Sequence, residues 1–329
     1  MKVSDFDYIL PDELIAQNPV EPRDTSRLMI LNRKSRNIEH RIFRDIVEYL
    51  NPKDLLVLNN TRVIPARLFA KKANSTIEVL LVEKIGTNLW NCMVKPGKKV
   101  KPGDILNFET FTAECLSKAD QGMRTLKFET TDEDLLKLGE APLPPYVHSK
   151  IPIERYQTIY AKINGAIASP TAGLHFTEEL LRKIKSTGVT IAEITLHVGI
   201  GTFRPVKTQF VQDHKMHPER YQISQDTVKL IEKTKRSGGR VIATGTTVVR
   251  ALEEYGINGK LEGETRLFIY PPFNFKIVDA MITNFHLPKS TLLMLVAAFA
   301  GYDFIMEAYR EAIEKRYRFY SFGDAMFIT

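Results

Sequence analysis

The sequence is poor in cysteine and tryptophan: its 329 residues include only Cys92, Cys115 and a single tryptophan. Two cysteines are too few for a disulfide framework or a tetrahedral cysteine-rich zinc site. They fall in separate strand-like runs, so we interpret them as small buried hydrophobic residues in a reducing compartment. A chain of this length can bury a sizeable core without such crosslinks.

Long apolar runs are also missing. The longest uninterrupted one, residues 292–300, is much shorter than the about 20 residues that cross a bilayer. The opening residues, MKVSDFDYILPDE, contain early acids and no apolar stretch of the kind that a signal peptide needs. We therefore expect a soluble cytoplasmic protein with no membrane partner.

The chain instead contains an ordinary globular mixture with an excess of positive charge. Hydrophobic residues make up 43% and charged residues 26%, which excludes wholesale disorder. Lys and Arg outnumber Asp and Glu by 46 to 39, a net charge of +7. This excess permits an anionic partner, such as a nucleic acid or a phosphorylated substrate, but does not prove one. The length predicts about two domains.

Two patterns of secondary structure divide the chain. Between residues 63 and 150, six short strand-like runs alternate with turn clusters such as Lys95-Pro-Gly97, which is typical of a small β-barrel. Elsewhere, capped helices follow strands, which predicts an α/β arrangement. The predicted fold is therefore an α/β domain, a mixed sheet with flanking helices, formed by residues 1–62 and 151–329. A small antiparallel β-barrel domain is inserted at residues 63–150.

Three strand-to-helix loops contain the residues best suited to chemistry. Backbone N–H groups at a helix start favour anions, and buried polar side chains there need hydrogen-bond partners. In α/β proteins such loops gather at one edge of the sheet, where sites are built. These candidates are His175 in PTAGLHF, Thr246, Thr247 and Arg250 in TGTTVVR, and Asn284 and His286 in TNFHLPKS. Arg250 lies one turn into its helix and is expected to face either the ligand or solvent. Gly256 is predicted to end this helix.

The stretch LHVGIGTFRP is a weaker candidate. His197 ends a predicted strand, and Gly199 and Gly201 let the backbone approach a ligand. Arg204 stands where a third glycine would complete a dinucleotide-binding fingerprint, and a proline follows it, so we reject a nicotinamide cofactor. The loop remains a candidate ligand site because of its place at the end of a strand.

The stretch from His214 to Glu219, HKMHPE, invites a metal hypothesis. A histidine pair spaced i,i+3 and followed by proline is not the H-E-x-x-H helix of a zinc protease, so we expect no metal. We interpret the stretch as a polar loop that contributes Glu219 to a site. A further strand is predicted at residues 266–270.

Basic residues near the barrel are candidates for contact with nucleic acid. Lys98 and Lys99 belong to a lysine-rich stretch that forms either a solvated hairpin tip or a contact with backbone phosphates. Arg62 follows a pair of asparagines, which usually mark a turn, and Arg67 lies just beyond it.

Taken together, these stretches resemble one family. PTAGLHF, LHVGIGTFRPV, MHPERY, TGTTVVRALE, TNFHLPKSTLLMLVAAFAG and YRFYSFGDAMFI are similar to the S-adenosylmethionine:tRNA ribosyltransferase-isomerases of queuosine biosynthesis, as are LIAQNPVEPRDTSRLM and LLVLNNTRVIPARL near the start. The resemblance implies an α/β domain plus a β-barrel. It also implies transfer of the ribosyl portion of S-adenosylmethionine to 7-aminomethyl-7-deazaguanine at the tRNA wobble position. The implied products are epoxyqueuosine-tRNA, adenine and methionine.

The implied reaction suggests roles for the candidates. The sulfonium acidifies neighbouring C–H groups, the attacking amine must be neutral, and departing adenine gains from a proton, so acid–base residues are needed. The catalytic candidates, in no order, are His175, His197, Glu219 and His286. Arg204, Arg250 or the helix start at Thr246 and Thr247 is expected to bind the carboxylate of S-adenosylmethionine. Phe176 or Phe203 is expected to stack on a base or to face the sulfonium cation. Gly199, Gly201 and Asn284 are further candidates for binding S-adenosylmethionine. The candidates for tRNA backbone contact are Arg23, Arg27, Arg62, Arg67, Lys98 and Lys99.

Two other functions fit parts of the sequence. A non-catalytic RNA-binding module fits the basic barrel but leaves three polar loops unexplained. A phosphoryl-transfer or nucleotide-hydrolysing enzyme fits the threonine-rich helix start. However, the P-loop lysine and an evident carboxylate pair for Mg²⁺ are missing. Adenine release without phosphate release would separate the three.

Overall fold

The computed structural model describes residues 1–119, 122–199, 201 and 206–329. They form a nine-stranded mixed sheet, a closed six-stranded antiparallel barrel and a pair of short parallel strands. The sheet consists of β1 (Arg27–Asn32), β2 (Asn37–Ile42), β3 (Leu55–Asn59), β12 (Thr190–Leu196), β13 (Glu219–Ile223), β14 (Val241–Thr244), β15 (Glu262–Thr265), β16 (Ala280–Asn284) and β17 (Ala325–Ile328). The predicted fold class is confirmed.

The remaining elements lie between and around these strands. The barrel consists of β5 (Arg67–Lys72), β6 (Ser75–Gly86), β7 (Leu89–Lys95), β8 (Ile105–Asn107), β9 (Thr112–Lys118) and β10 (Met123–Phe128), and the strand pair of β4 (Thr61–Val63) and β11 (Ile163–Ala166). The α-helices are α1 (Asp132–Lys137), α2 (Glu178–Ser186), α3 (Gln225–Arg236), α4 (Thr246–Asn258), α5 (Thr291–Ala300) and α6 (Tyr302–Glu314).

Strand direction brings the candidate residues to one edge of the sheet. Strands β12, β3, β14 and β16 are mutually parallel, so their carboxyl ends share that edge. Strands β13 and β17 run antiparallel to β12 and β16, and β1 is parallel to β17, so these three begin at the same edge. Asn59, Glu219 and Asn284 therefore lie along the same edge of the sheet although they are far apart in sequence.

Buried residues alternate between the two faces of the sheet, as a half-covered strand requires. One face, with Met29 and Val57 among its residues, packs against helices α4, α5 and α6. The other, with Ile30 and Leu58, packs against α2 and a 3-10 helix at Phe43–Tyr49. No single helix of the described residues is long and apolar enough to cross a bilayer; α5 and α6 reach that length and composition only as a pair bent by 114°.

The barrel encloses its own apolar core, which includes both cysteines. Ile64 and Ile167 belong to this core and lie where the chain enters and leaves the barrel region. A second link is the ion pair between Arg220 on β13 and Glu83 on β6, at 3.3 Å. The domain boundaries given above stay a prediction.

Three expectations about secondary structure were wrong. Residues 266–270 form no strand, because the edge pairing with β13 ends at Thr265. Residues 214–218 form the predicted loop, but Glu219 itself is the first residue of β13 and not part of that loop. Helix α4 continues past Gly256 and ends at Gly259, which adopts the left-handed conformation (φ +70°) that glycine tolerates.

Candidate active site

A cavity opens at the shared edge of the sheet, beyond the ends of β14 and β16. It contains about 550 Å³ of free space, counting its open mouth. The polar residues of its lining are Tyr146, Ser169, Thr171, Thr246, Thr247, Thr283, Asn284, His286, Tyr320 and Ser321. Two of the three predicted strand-to-helix loops therefore line it directly, and the third contributes Ser169 and Thr171 just before His175.

The start of helix α4 faces this cavity without a side-chain cap. Helices α2, α3 and α5 begin at Thr177, Ser224 and Ser290, whose hydroxyls accept a backbone N–H from the first turn. Helix α4 begins at Gly245, which has no side chain to do so. The first-turn N–H groups of α4 are therefore available to an anion, whose charge the helix dipole also favours.

Gly245 has a backbone conformation that only glycine adopts readily, with φ +92° and ψ 154°. We expect Gly245→Ala to lower the free energy of unfolding by about 1–3 kcal/mol and to raise KM for the anionic ligand, because the start of α4 must shift. Gly238→Ala is the control, since Gly238 has φ +73° and open space around it. Equal KM values in the two variants would show that Gly245 matters for backbone strain alone.

Among the described residues, two that line this cavity have a buried polar atom without a hydrogen bond, Ser169 Oγ and Asn284 Oδ1. His175 Nε2, in the neighbouring pocket, is a third such atom. Such atoms are rare in folded proteins and call for a ligand or ordered water. The Asn284 amide is oriented by its Nδ2, which donates to the Tyr320 carbonyl at 3.0 Å, so the unsatisfied atom is its oxygen.

His175 lies in a small pocket beside the main cavity, and Ser321 lines both. Its Nδ1 is 2.7 Å from Ser26 Oγ, and its ring stacks on Phe43 at 4.8 Å between centroids. Burial lowers the pKa of His175 to about 4, although Asn284 is close enough to act in the opposite direction. The ring is therefore neutral at pH 7, and its position is fixed from two sides.

His286 lines the main cavity directly. Its Nε2 is 2.7 Å from Thr283 Oγ1, and its backbone N–H donates to Tyr309 Oη at 2.8 Å. Burial lowers the pKa of His286 to about 3. This imidazole is also neutral at pH 7, but one ring nitrogen is already engaged by Thr283.

His197 lies in a second cavity, which it shares with Glu219 and His217. Its Nδ1 is 2.8 Å from Thr61 Oγ1. Burial, and then the nearby Arg220, lower the pKa of His197. Gly165 gives the ring its space, since a Cβ there would lie 2.7 Å from Cε1 of His197.

Glu219 and Arg250 form a buried ion pair with each other. Glu219 Oε1 accepts the Gly199 backbone N–H at 2.8 Å, and Oε2 accepts from Arg250 Nη1. Arg250 Nε donates to the Leu267 carbonyl at 3.0 Å. Arg250 therefore faces neither solvent nor the cavity beside α4; it holds the Glu219 carboxylate next to Gly199.

The stacking role predicted for Phe176 was wrong. Its ring is fully buried in the apolar core and packs edge-on against Phe43, so no ligand can reach it. Gly201 lies against His217, where a Cβ would approach Cδ2 to 3.0 Å. The other two candidates of the same loop, Phe203 and Arg204, lie outside the described residues.

The predicted tRNA contacts divide into exposed and internally bonded residues. Arg62, Lys98 and Lys99 are exposed. The Arg27 guanidinium pairs with Asp324 at 3.1 Å and lies over the Tyr317 ring, but its side chain is 38% exposed, so its contact with tRNA stays a prediction.

Two further arginines already form hydrogen bonds or ion pairs within the protein. Arg23 is partly buried and donates to the carbonyls of Gln157 and Glu154, and burial and then the neighbouring Arg155 lower its pKa; its contact with tRNA stays a prediction. Arg67 pairs with Glu78 at 2.9 Å but stays about one third exposed.

Several residues of the site were missed from the sequence. Tyr146 and Tyr320, whose rings lie 4.9 Å apart, and Ser321 line the cavity, and Ser26 holds His175. The stretch YSFGD could have indicated Tyr320 and Ser321, because it is a polar turn directly before an apolar strand. Other polar turns next to strands in this sequence contain site residues.

Within the described ranges, no three His, Cys, Asp or Glu side chains gather as a metal-ligand set. His214 instead packs edge-on against Phe268, and Glu219 is bound to Arg250. That the reaction needs no metal stays a prediction.

A polar cavity with neutral buried histidines, at the carboxyl edge of an α/β sheet that carries an inserted barrel, defines an α/β enzyme rather than a passive binding module. The sequence model of the family described as "Queuosine biosynthesis protein" matches residues 3–328. The S-adenosylmethionine:tRNA ribosyltransferase-isomerases of Thermotoga petrophila and Halothermothrix orenii are 60% and 52% identical over 334 and 340 residues, covering 100% of both chains in each case. The chain belongs to this ribosyltransferase-isomerase family of queuosine biosynthesis.

A solved structure shows the same likeness. The crystal structure of the S-adenosylmethionine tRNA ribosyltransferase from Thermotoga maritima has a TM-score of 0.60 and 50% sequence identity, covering 99% of this chain and 100% of that one. The prediction that the chain is a transferase of this family is thus confirmed.

Proposed function

We propose that this enzyme transfers and isomerises the ribosyl moiety of S-adenosylmethionine onto 7-aminomethyl-7-deazaguanine at the tRNA wobble position. The products are epoxyqueuosine-tRNA, adenine and methionine. The observation that carries the proposal is the edge cavity, where an uncapped helix start and unsatisfied buried polar atoms surround open space. The names of the full-length relatives support S-adenosylmethionine and tRNA as the two substrates.

We assign the methionine carboxylate to the start of α4. The first-turn N–H groups at Thr246 and Thr247 suit a carboxylate, and Arg250, the alternative, is occupied by Glu219. In place of Phe176, the rings of Tyr146 and Tyr320 are the aromatic surfaces available to the sulfonium cation or the adenine.

We assign proton abstraction to His175. A base must be neutral and have a nitrogen that is free to accept a proton; His175 Nε2 is buried without a hydrogen bond to any described residue, beside the Asn284 side chain. For Nε2 to accept a proton, Nδ1 must carry the ring hydrogen and donate it to Ser26 Oγ. The Asn284 oxygen then stabilises the imidazolium, in line with its effect on the pKa of His175. His286 and Glu219 remain candidates for the protonation steps.

The decisive experiment follows nucleosides and small products together. Transfer RNA that carries 7-aminomethyl-7-deazaguanine is incubated with the protein and S-adenosylmethionine, and mass spectrometry measures epoxyqueuosine, adenine and methionine. Epoxyqueuosine formed in step with adenine supports the proposal. Bound tRNA with no product would favour the RNA-binding module instead.

The lysines at the turn after β7 provide a test of the tRNA footprint. We expect Lys98→Glu/Lys99→Glu to weaken tRNA binding and to reduce the slope of log K against log salt by about 1–2, because each lost phosphate contact removes about 0.7–0.9 from that slope. Lys183→Glu/Lys185→Glu, in the last turn of α2 near the opposite sheet edge, is the matched control. An unchanged slope in the first variant would remove this turn from the footprint.

A further inference from the structure

A cleft lies along one outer face of the barrel. One wall is formed by outward-facing residues of β5, β6 and β7, and the other by residues of the 142–148 stretch together with Ile167, Ala168 and Gly199. Its volume is about 580 Å³, within the range of small-molecule sites. Nothing in the proposed chemistry above uses this cleft.

The cleft and the edge cavity are direct neighbours. In three chain segments, one residue lines the cavity and the next lines the cleft. These pairs are Tyr146 and Val147, Ser169 and Ala168, and Val198 and Gly199. A ligand in the cleft therefore lies beside whatever the cavity holds.

The barrel wall of the cleft combines an apolar strip with a charged pair. Leu80 lies opposite Arg67 on one side and Met93 on the other, and Glu78 lies opposite Lys95. Arg67 Nε donates to Glu78 Oε1 at 2.9 Å, and both side chains are about one third exposed. The apolar side chains can cover one face of an unpaired base, and the neighbouring cations can contact its phosphates.

The Arg67–Glu78 pair matches one base in particular. The pairing edge of a guanine-type base has an acceptor, O6, next to two donors, N1–H and the 2-amino group. An arginine beside a carboxylate presents the complementary order of donor and acceptor. Position 7 lies on the adjoining Hoogsteen edge of the base, so contacts to the pairing edge leave a substituent at position 7 free to react.

We propose that this cleft binds the guanine-type base of the RNA substrate, with Glu78 and Arg67 recognising its pairing edge and Lys95 contacting the backbone. The proposal rests on the proposed function for the identity of the RNA. It adds a base-recognition site on the barrel, separate from the cavity assigned to S-adenosylmethionine. The adjacency of cleft and cavity then brings position 7 toward the ribosyl donor.

The test measures binding, so it does not depend on turnover. Anticodon stem-loop RNAs with guanosine or with inosine at the wobble position are compared by fluorescence anisotropy, because inosine lacks only the 2-amino group. The wild-type protein is expected to prefer guanosine by about tenfold, and Glu78→Gln to lose that preference by weakening guanosine binding. If Glu78 acted only through its charge, Glu78→Gln would instead strengthen the binding of both RNAs equally, because it removes a negative charge.

Glu114→Gln is the matched control, because Glu114 is exposed on β9, outside the cleft. Thermal melting confirms that both variants fold. A Glu78→Gln protein that keeps the guanosine preference, or binds both RNAs more tightly, overturns the inference. Adenine release by the wild-type enzyme is measured in parallel. If adenine is released but Glu78→Gln keeps the wild-type preference for guanosine, the base site in the cleft is refuted and the proposed function is not. If the guanosine preference depends on Glu78 but no adenine is released, the proposed function is refuted and the base site is not.

Discussion

We expect His175→Ala to lower kcat by about 10²–10⁴ while leaving the affinity for tRNA unchanged, because general acid–base catalysis contributes rates of this order. The side chain is buried beside the edge cavity, far less exposed than any residue expected to touch RNA. Steady-state adenine release at saturating substrates gives kcat, and filter binding gives the tRNA dissociation constant. His40→Ala is the control, because His40 is also hydrogen-bonded, to Tyr317 and Glu311, but lies on edge strand β2.

The pH profile sharpens this prediction. Because burial lowers the pKa of His175 to about 4, the free imidazole stays available as the pH falls from 8 to about 5, and the rate is lost only as the pH approaches 4. Ser26→Ala frees Nδ1 from its partner and is expected to lower kcat less than His175→Ala. A wild-type rate that titrates near 6.5, or normal kcat in the His175→Ala enzyme, would contradict the assignment.

Glu219→Gln is expected to lower the free energy of unfolding by about 3–5 kcal/mol, since it leaves the Arg250 guanidinium buried with no opposite charge. The side chains of both residues are nearly inaccessible to solvent, so water cannot replace the lost partner. Urea denaturation monitored by circular dichroism measures the loss. In the double variant Glu219→Gln/Arg250→Gln, where neither charge remains, we expect a smaller loss than the sum of the two single changes.

The exposed ion pair between Arg36 and Glu307 is the matched comparison. Its atoms are 2.9 Å apart, but more than half of each side chain is exposed. Glu307→Gln is therefore expected to change stability by less than about 1 kcal/mol. Similar losses in Glu219→Gln and Glu307→Gln would mean that the Glu219–Arg250 pair is solvated and contributes little to the fold.

Much of the fold followed from local sequence. The α/β part indeed contains helices that follow strands and begin at capping residues, and the alternation of strand-like runs with turns predicted the six barrel strands. Non-local pairing was harder to predict. Strand β13 is polar at alternate positions and begins with a buried charge, so only its pairing with β12 and β15 makes it a strand.

The candidate site followed the same division. The loops around His175, Thr246 and Asn284 were found because each lies at a change of secondary structure. The partnership of Glu219 with Arg250 was not, since 31 residues separate them and no local pattern records the contact. Phe176 was misassigned because an aromatic residue beside a site histidine has the same local sequence whether it faces a ligand or the core.

The position of β17 has a consequence for protein synthesis. This strand lies between β16 and β1, and Leu28 pairs with Ala325. At about 5–20 residues per second, a ribosome needs about 15–60 seconds to progress from the first of these residues to the second. Throughout that time the β1–β2 hairpin lacks β17, the strand that connects it to the rest of the sheet. The barrel strands, by contrast, pair only with one another and are contiguous from Arg67 to Phe128, so all of them have been synthesised early. The barrel can therefore complete its folding on the ribosome. The nine-stranded sheet that carries the site can be completed only after β17 has been synthesised.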